Sequence, residues 1–153
     1  MPDFLLMAKK KRTKQSQQVG AKKQSRISED VDISTLTRPV WSFSQCDTRH
    51  ERWAFDHSRI NEVLFEKMQN FENQTWHEIK VKGKRNNHHV QINQLCKEAQ
   101  KRLSELHKED YDALFSLRLS GRERLWGIIQ DGVFMILWYD KEHEVCPSHL
   151  SHT

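Results

Sequence analysis

A chain of 153 residues, of which 36% are hydrophobic and 30% charged, is one domain of ordinary size, with room for one core and not for two. It has no apolar run of the roughly 18 residues that a membrane span needs, its opening Met-Pro-Asp-Phe-Leu-Leu is too short in apolar residues for a secretory signal, and Cys46, Cys96 and Cys146 show no close pairing. A disulfide framework and a membrane span are therefore set aside, and the expected compartment is the reducing cytoplasm. The net charge of +4 is unevenly placed: residues 1–26 carry eight Lys or Arg against Asp3, a local +7 that leaves −3 for the remainder.

Residues 1–38 are rich in Lys, Arg, Gln and Ser and poor in aromatics. Such a composition buries too little surface to offset the entropy of ordering, so a disordered basic arm is expected. Met7-Ala-Lys-Lys-Lys has the form of a natural start, which would make the first six residues a start-site artefact. Lys9-Lys-Lys-Arg-Thr-Lys14 reads either as an electrostatic arm for nucleic acid or an acidic partner, or as a solubilising tail.

The expected domain spans 39–146. Trp41-Ser-Phe-Ser44 alternates apolar with polar residues as a half-buried strand does and is expected to join the sheet. Asp56 or Ser58 offers an N-cap to a helix whose apolar residues Ile60, Val63, Leu64, Met68 and Phe71 recur at helical spacing, with Asn73 as a stop. Trp76 to Lys82 alternates with period two and runs into the polar Gly83-Lys-Arg-Asn-Asn87, which predicts an extended segment and then a loop. A second helix is expected over 92–107, with Leu95, Cys96, Ala99, Leu103 and Leu106 on one stripe.

The strongest strand-formers lie between Arg118 and Tyr139. Asp131-Gly132 separates two apolar runs and is a type I′ hairpin signal, because both central residues of that turn need positive φ. Ser120-Gly121 separates Ala113-Leu-Phe-Ser-Leu-Arg-Leu119 from the same hairpin, so three consecutive antiparallel strands are predicted. Beyond Tyr139 periodicity is lost, and a frayed tail is expected over 147–153. The fold class is then α+β, with two helices packed on one face of a small antiparallel sheet that ends in a three-stranded meander.

Leu117-Arg118-Leu119, the turn at Ser120-Gly121, Arg124-Leu-Trp-Gly-Ile128 and the turn at Gln130-Asp-Gly132 together form a pattern. It resembles the RelE/ParE superfamily of small bacterial toxins, which includes ribosome-dependent mRNA interferases. The likeness covers 40–145 by element order and is residue-specific over about 117–143. It implies a RelE-like domain, an endoribonuclease toxin of a toxin–antitoxin pair acting on mRNA at the ribosome, and a cognate antitoxin as partner. It implies further that Arg124 stabilises phosphate charge with Arg118 assisting, and that Arg122 holds backbone phosphate.

Arginine suits the phosphate task because its planar fork stays charged and matches phosphate geometry. For the acid and base of a ribose 2′-hydroxyl attack, His143 and Tyr139 lie nearest the end of the last strand, while Glu78 or His77 could approach from the extended segment, whose Lys80 and Lys82 would meet the RNA backbone. Arginines at a turn also keep a sheet edge soluble, and Trp126, Trp138 and Tyr139 in a meander are core candidates as well as base-stacking ones. Two other readings stand beside the nuclease: a ParE-like non-enzymatic inhibitor of a protein target, and a zinc protein using His143-x-x-Cys146-x-x-His149-x-x-His152. Those four lie on one polar tail, whereas structural zinc draws ligand pairs from separate knuckles, so no metal ligand is assigned. No phosphate-cradling Gly-rich loop, nucleophile elbow or paired metal-binding carboxylate motif occurs, and no cofactor is expected.

Overall fold

The computed structural model describes residues 36–147. The basic arm as far as residue 35, both candidate starts, and the tail from 148 with His149 and His152 lie outside the described residues.

Strands β3 (Ala113–Arg118), β4 (Arg124–Gln130) and β5 (Val133–Asp140) form the expected antiparallel meander and are numbered here by their place in the whole sheet. Asp131 at φ 52° and Gly132 at φ 79° turn the chain from β4 to β5 in the left-handed region that a type I′ turn demands. On one side β2 (His88–Gln91) pairs antiparallel with β3; on the other, β1 (Val40–Ser42) pairs with β5. The strand order is β1-β5-β4-β3-β2.

The β1 pairing corrects the expectation of an all-antiparallel sheet. Val40 lies opposite Val133 and Ser42 opposite Met135, which is a parallel register. The α-helices of the described residues all lie in the chain between β1 and β5, and a long crossover can re-enter a sheet in the same direction, which a two-residue turn cannot.

Helix α1 (Glu62–Phe71) is capped by Asn61, whose side-chain oxygen accepts from the Leu64 N–H at 2.9 Å. Asp56 caps a separate 3-10 turn, His57–Arg59, one step earlier. Leu64 and Met68 of the predicted stripe are buried, but Val63 is 57% exposed.

Residues expected to be extended instead form helix α2 (Trp76–Val81). Thr75 accepts from the Glu78 N–H at 3.2 Å, and the buried residues are Trp76 and Ile79, three apart. Thr-x-x-Glu is a helix-start signature, and apolar residues three apart outweigh a period-two pattern in so short a stretch. The Trp76 indole N–H donates to the Gly132 carbonyl at 2.7 Å and ties α2 to the hairpin turn.

Helix α3 (Lys97–Glu105) is shorter than predicted, because Ile92–Gln94 is a 3-10 turn and Leu95 and Cys96 have extended backbone. Ala99 and Leu103 carry its buried stripe.

The described residues thus form an α+β unit with three α-helices and a five-stranded mixed sheet. The helices do not share one face, which is a second correction. Phe115 and Leu117 of β3 belong to one core with Leu64, Met68, Trp76 and Ile79 of α1 and α2. Their neighbour Leu114 belongs to another, with Ala99 and Leu103 of α3. Successive strand residues point to opposite faces, so α1 and α2 cover one side of the sheet and α3 the other.

A bulge interrupts the pairing of β4 with β5. The register passes from Gly127 opposite Ile136 to Trp126 opposite Trp138, leaving Leu137 as the extra residue. Gly127 is required there, since a Cβ would sit 2.1 Å from the Met135 carbonyl oxygen.

Candidate functional site

The side of the sheet beneath α3 carries two cross-strand rows. One runs His88, Ser116, Trp126, Trp138 over β2 to β5; the next runs Arg118, Arg124, Asp140 over β3 to β5. A cleft of about 640 Å³ opens here. Ser116 and Trp126 line it from the sheet, Arg85 and Asn86 from the loop before β2, Asn93 and Gln94 from the 3-10 turn, and His143 and Cys146 from the segment after β5. No carboxylate among the described residues lines it.

Arg118 and Arg124 face each other directly across β3 and β4. Arg124 Nη1 donates to the carbonyl oxygens of Ser120 (3.0 Å), Gly121 (3.2 Å) and Glu123 (3.1 Å). Arg118 Nε donates to the same Ser120 oxygen at 3.0 Å, and its Nη1 donates to Asn86 Oδ1 at 2.6 Å. Neither guanidinium forms an ion pair with a carboxylate among the described residues. Like charges placed opposite one another destabilise a sheet, so an anion between them would be welcome. Burial first, then the charge of Arg118, lowers the Arg124 pKa while Asp140 opposes the change; a guanidinium stays charged all the same.

Asp140 is fully buried, yet its carboxylate is committed elsewhere. Oδ2 accepts from the Trp126 indole N–H at 3.2 Å and from the Val145 N–H at 2.9 Å, while Oδ1 accepts from the Glu144 N–H at 2.8 Å. These bonds pin the segment that carries His143, itself at φ 59°. Burial lowers the His143 pKa, with Arg124, Arg118 and His88 adding to the fall and Asp140 opposing it. A histidine depressed from its ordinary value is neutral at pH 7 and can accept a proton.

On the other flank, the Asn87 side-chain oxygen accepts from the Arg118 backbone N–H at 2.9 Å, which fastens the loop of Arg85 and Asn86 to the end of β3. His89 lies edge-on to Phe115 at 4.9 Å, and its pKa is lowered by burial and then by Lys80 and His88.

Of the residues singled out from sequence, the cleft gathers Arg124 and His143, with Arg118 beside them. Tyr139 lies on the opposite face, where it packs on Phe55 and donates its hydroxyl hydrogen to Glu123. Burial and the Glu123 contact push its pKa upward. Glu78 sits in the first turn of α2 with Lys80 and Lys82 at the other end of that helix, and none of the three lines the cleft. Arg122 is on the surface, where its Nη1 pairs with Glu142 at 3.2 Å. Trp126 and Trp138 are core.

Sequence reasoning missed Arg85, Asn86, His88, His89, Asn93, Gln94 and Asp140. The run Lys84-Arg-Asn-Asn-His-His89 carried a signal, since it concentrates cations, amides and imidazoles in six residues. Among the described residues no group of three or more His, Cys, Asp or Glu is placed to hold a metal ion, and no helix is long and apolar enough to cross a membrane. Compared with protein-family models, with curated proteins and with solved structures, the chain matches none.

Proposed function

We propose that this chain is an endoribonuclease that cuts single-stranded RNA by the attack of a ribose 2′-hydroxyl on the adjacent phosphate. The observation that carries the reading is the facing pair Arg118 and Arg124, without an ion-pair partner among the described residues, of which Arg124 lines an open cleft with His88 and His143.

In this mechanism the scissile phosphate lies over the two guanidiniums, which stabilise the charge that builds on its non-bridging oxygens. Neutral His143 takes the 2′-hydroxyl proton as the new O2′–P bond forms. His88 gives a proton to the departing 5′-oxygen as the P–O5′ bond breaks. The products are a 2′,3′-cyclic phosphate and a 5′-hydroxyl end. Catalysis of this kind needs positioned proton carriers and charge stabilisation and no metal.

The wider role follows from resemblance. The meander with arginines on either side of its first turn supports a RelE-like toxin that cleaves mRNA on the ribosome in the cytoplasm and is silenced by an antitoxin. Exposed Ile60 and Phe65 before and on α1, with Phe43 beside β1, form an apolar surface that supports a protein partner. The parallel β1 and the helices on both faces depart from the simple arrangement that the resemblance implied.

Induction of the chain in a bacterial cell tests the reading. Growth arrest accompanied by mRNA fragments with 5′-hydroxyl ends is expected, and Arg124→Ala should abolish both. Arrest without RNA fragments would favour a non-enzymatic inhibitor.

A further inference from the structure

The cleft has two unlike walls. Its sheet and loop wall carries the guanidiniums of Arg124 and Arg85 beside the imidazoles of His88 and His143. The 3-10 turn contributes to the lining only the neutral amides Asn93 and Gln94. A nucleotide has the same division: an anionic phosphate at one end and, at the other, an uncharged ring whose edge both donates and accepts hydrogen bonds.

The turn is held by its backbone and leaves its side chains unused. The Ile92 N–H donates to the Asp112 carbonyl at 3.0 Å, and the Leu95 N–H donates to the Ile92 carbonyl at 3.1 Å. Gln100 Nε2 donates to the Asn93 carbonyl at 3.4 Å and the Leu95 carbonyl at 2.8 Å, while Cys146 Sγ donates to the Gln94 carbonyl at 3.5 Å. The Asn93 and Gln94 side-chain amides have no hydrogen-bond partner among the described residues, and both residues are exposed. Fixed backbone beneath free amides is the arrangement that reads a base edge, because an amide offers a donor and an acceptor side by side. A volume near 640 Å³ suits a nucleotide and is within the range of small-molecule sites.

We propose that the neutral wall is a nucleobase subsite, and that Asn93 and Gln94 select the base next to the phosphate held by Arg118 and Arg124. The inference rests on the endoribonuclease reading for the phosphate half of the cleft and adds the identity of the other half. Single-stranded RNA is the substrate class, since only an unpaired base can present its edge to the turn.

The test is fluorescence anisotropy with labelled 2′-O-methyl RNA hexamers that cannot be cleaved, identical except for one central base. The full-length wild-type chain should prefer one base by roughly fivefold or more, the discrimination expected of paired hydrogen bonds to a base edge. Asn93→Ala with Gln94→Ala should bring the four affinities to within about twofold of one another while still binding. Arg118→Ala with Arg124→Ala should weaken all four hexamers equally. Wild-type binding without preference, or a preference that survives loss of both amides, overturns the base subsite and leaves the phosphate reading standing. No wild-type binding, or binding indifferent to the two arginines, overturns the phosphate reading and the subsite with it.

Discussion

Arg118 and Arg124 stand opposite each other on neighbouring strands and donate to one carbonyl oxygen, that of Ser120. The turn between β3 and β4 thus gathers two guanidiniums that form no ion pair with a carboxylate among the described residues.

Replacing Arg124 by Ala is expected to lower RNA cleavage by about 10²- to 10³-fold, the scale of removing one preorganised donor from a transition state. Arg124→Lys should recover only part of that loss, because an ammonium cannot reproduce the planar fork. Urea denaturation should show little change in midpoint for Arg124→Ala, since removing one of two facing like charges offsets the lost carbonyl contacts.

Asp140→Asn isolates the buried carboxylate under the site. The groups facing His143 are Arg124, Arg118 and His88, which disfavour its protonation, and Asp140, which favours it. Removing the only negative charge among them should move the His143 titration further down, as read by NMR of the imidazole. The acidic limb of the cleavage profile should move the same way, because a base with a lower pKa stays unprotonated to lower pH. An unchanged titration would mean that Asp140 acts only as a loop anchor.

Much of this site was legible because its parts are close in the chain. Arg118, Arg124 and His143 all sit at the same end of a meander whose turns were readable from Ser120-Gly121 and Asp131-Gly132. Tyr139 shows where local rules stop. A two-residue hairpin with Gln130 opposite Val133 would carry on to put Tyr139 opposite Arg124, but the bulge after Trp126 advances β5 by one residue and puts Asp140 there. No local pattern announced that bulge except Gly127 itself. The direction of β1 and the strand at His88–Gln91 were also illegible, since parallel pairing is decided far away in the sequence and His-His-Val-Gln offers a single buried apolar residue.

Gly127→Ala tests the bulge. The added methyl would meet the Met135 carbonyl at 2.1 Å, so β4 and β5 must separate or lose register. A loss of more than about 2 kcal/mol in urea denaturation is expected, together with loss of RNA cleavage as Arg124 shifts.

Asp47 links α3 to the core below the site. It is buried and accepts from Arg102 Nε and Nη2 at 2.8 Å each and from the Trp138 indole N–H at 2.9 Å. Burial raises its pKa, but the bonds from Arg102, Trp138 and the Arg49 backbone outweigh that, and the net result is well below the ordinary carboxylate value. A depressed folded pKa contributes stability that is complete above the unfolded value of about 3.9 and is lost as the pH falls toward the folded one. Asp47→Ala is expected to cost about 3 kcal/mol at pH 7. The gap between variant and wild type in urea midpoint should narrow from about pH 5 downward.

The most direct test of the central claim is the chemistry of the cut ends. Purified full-length protein would be incubated with a 5′-labelled single-stranded RNA, alone and on translating ribosomes, and the fragments analysed by mass. Fragments ending in a 2′,3′-cyclic phosphate, formed by the wild type and absent with Arg124→Ala, are the predicted result. RNA left whole in both settings, or cut equally by the Arg124→Ala chain, would contradict it.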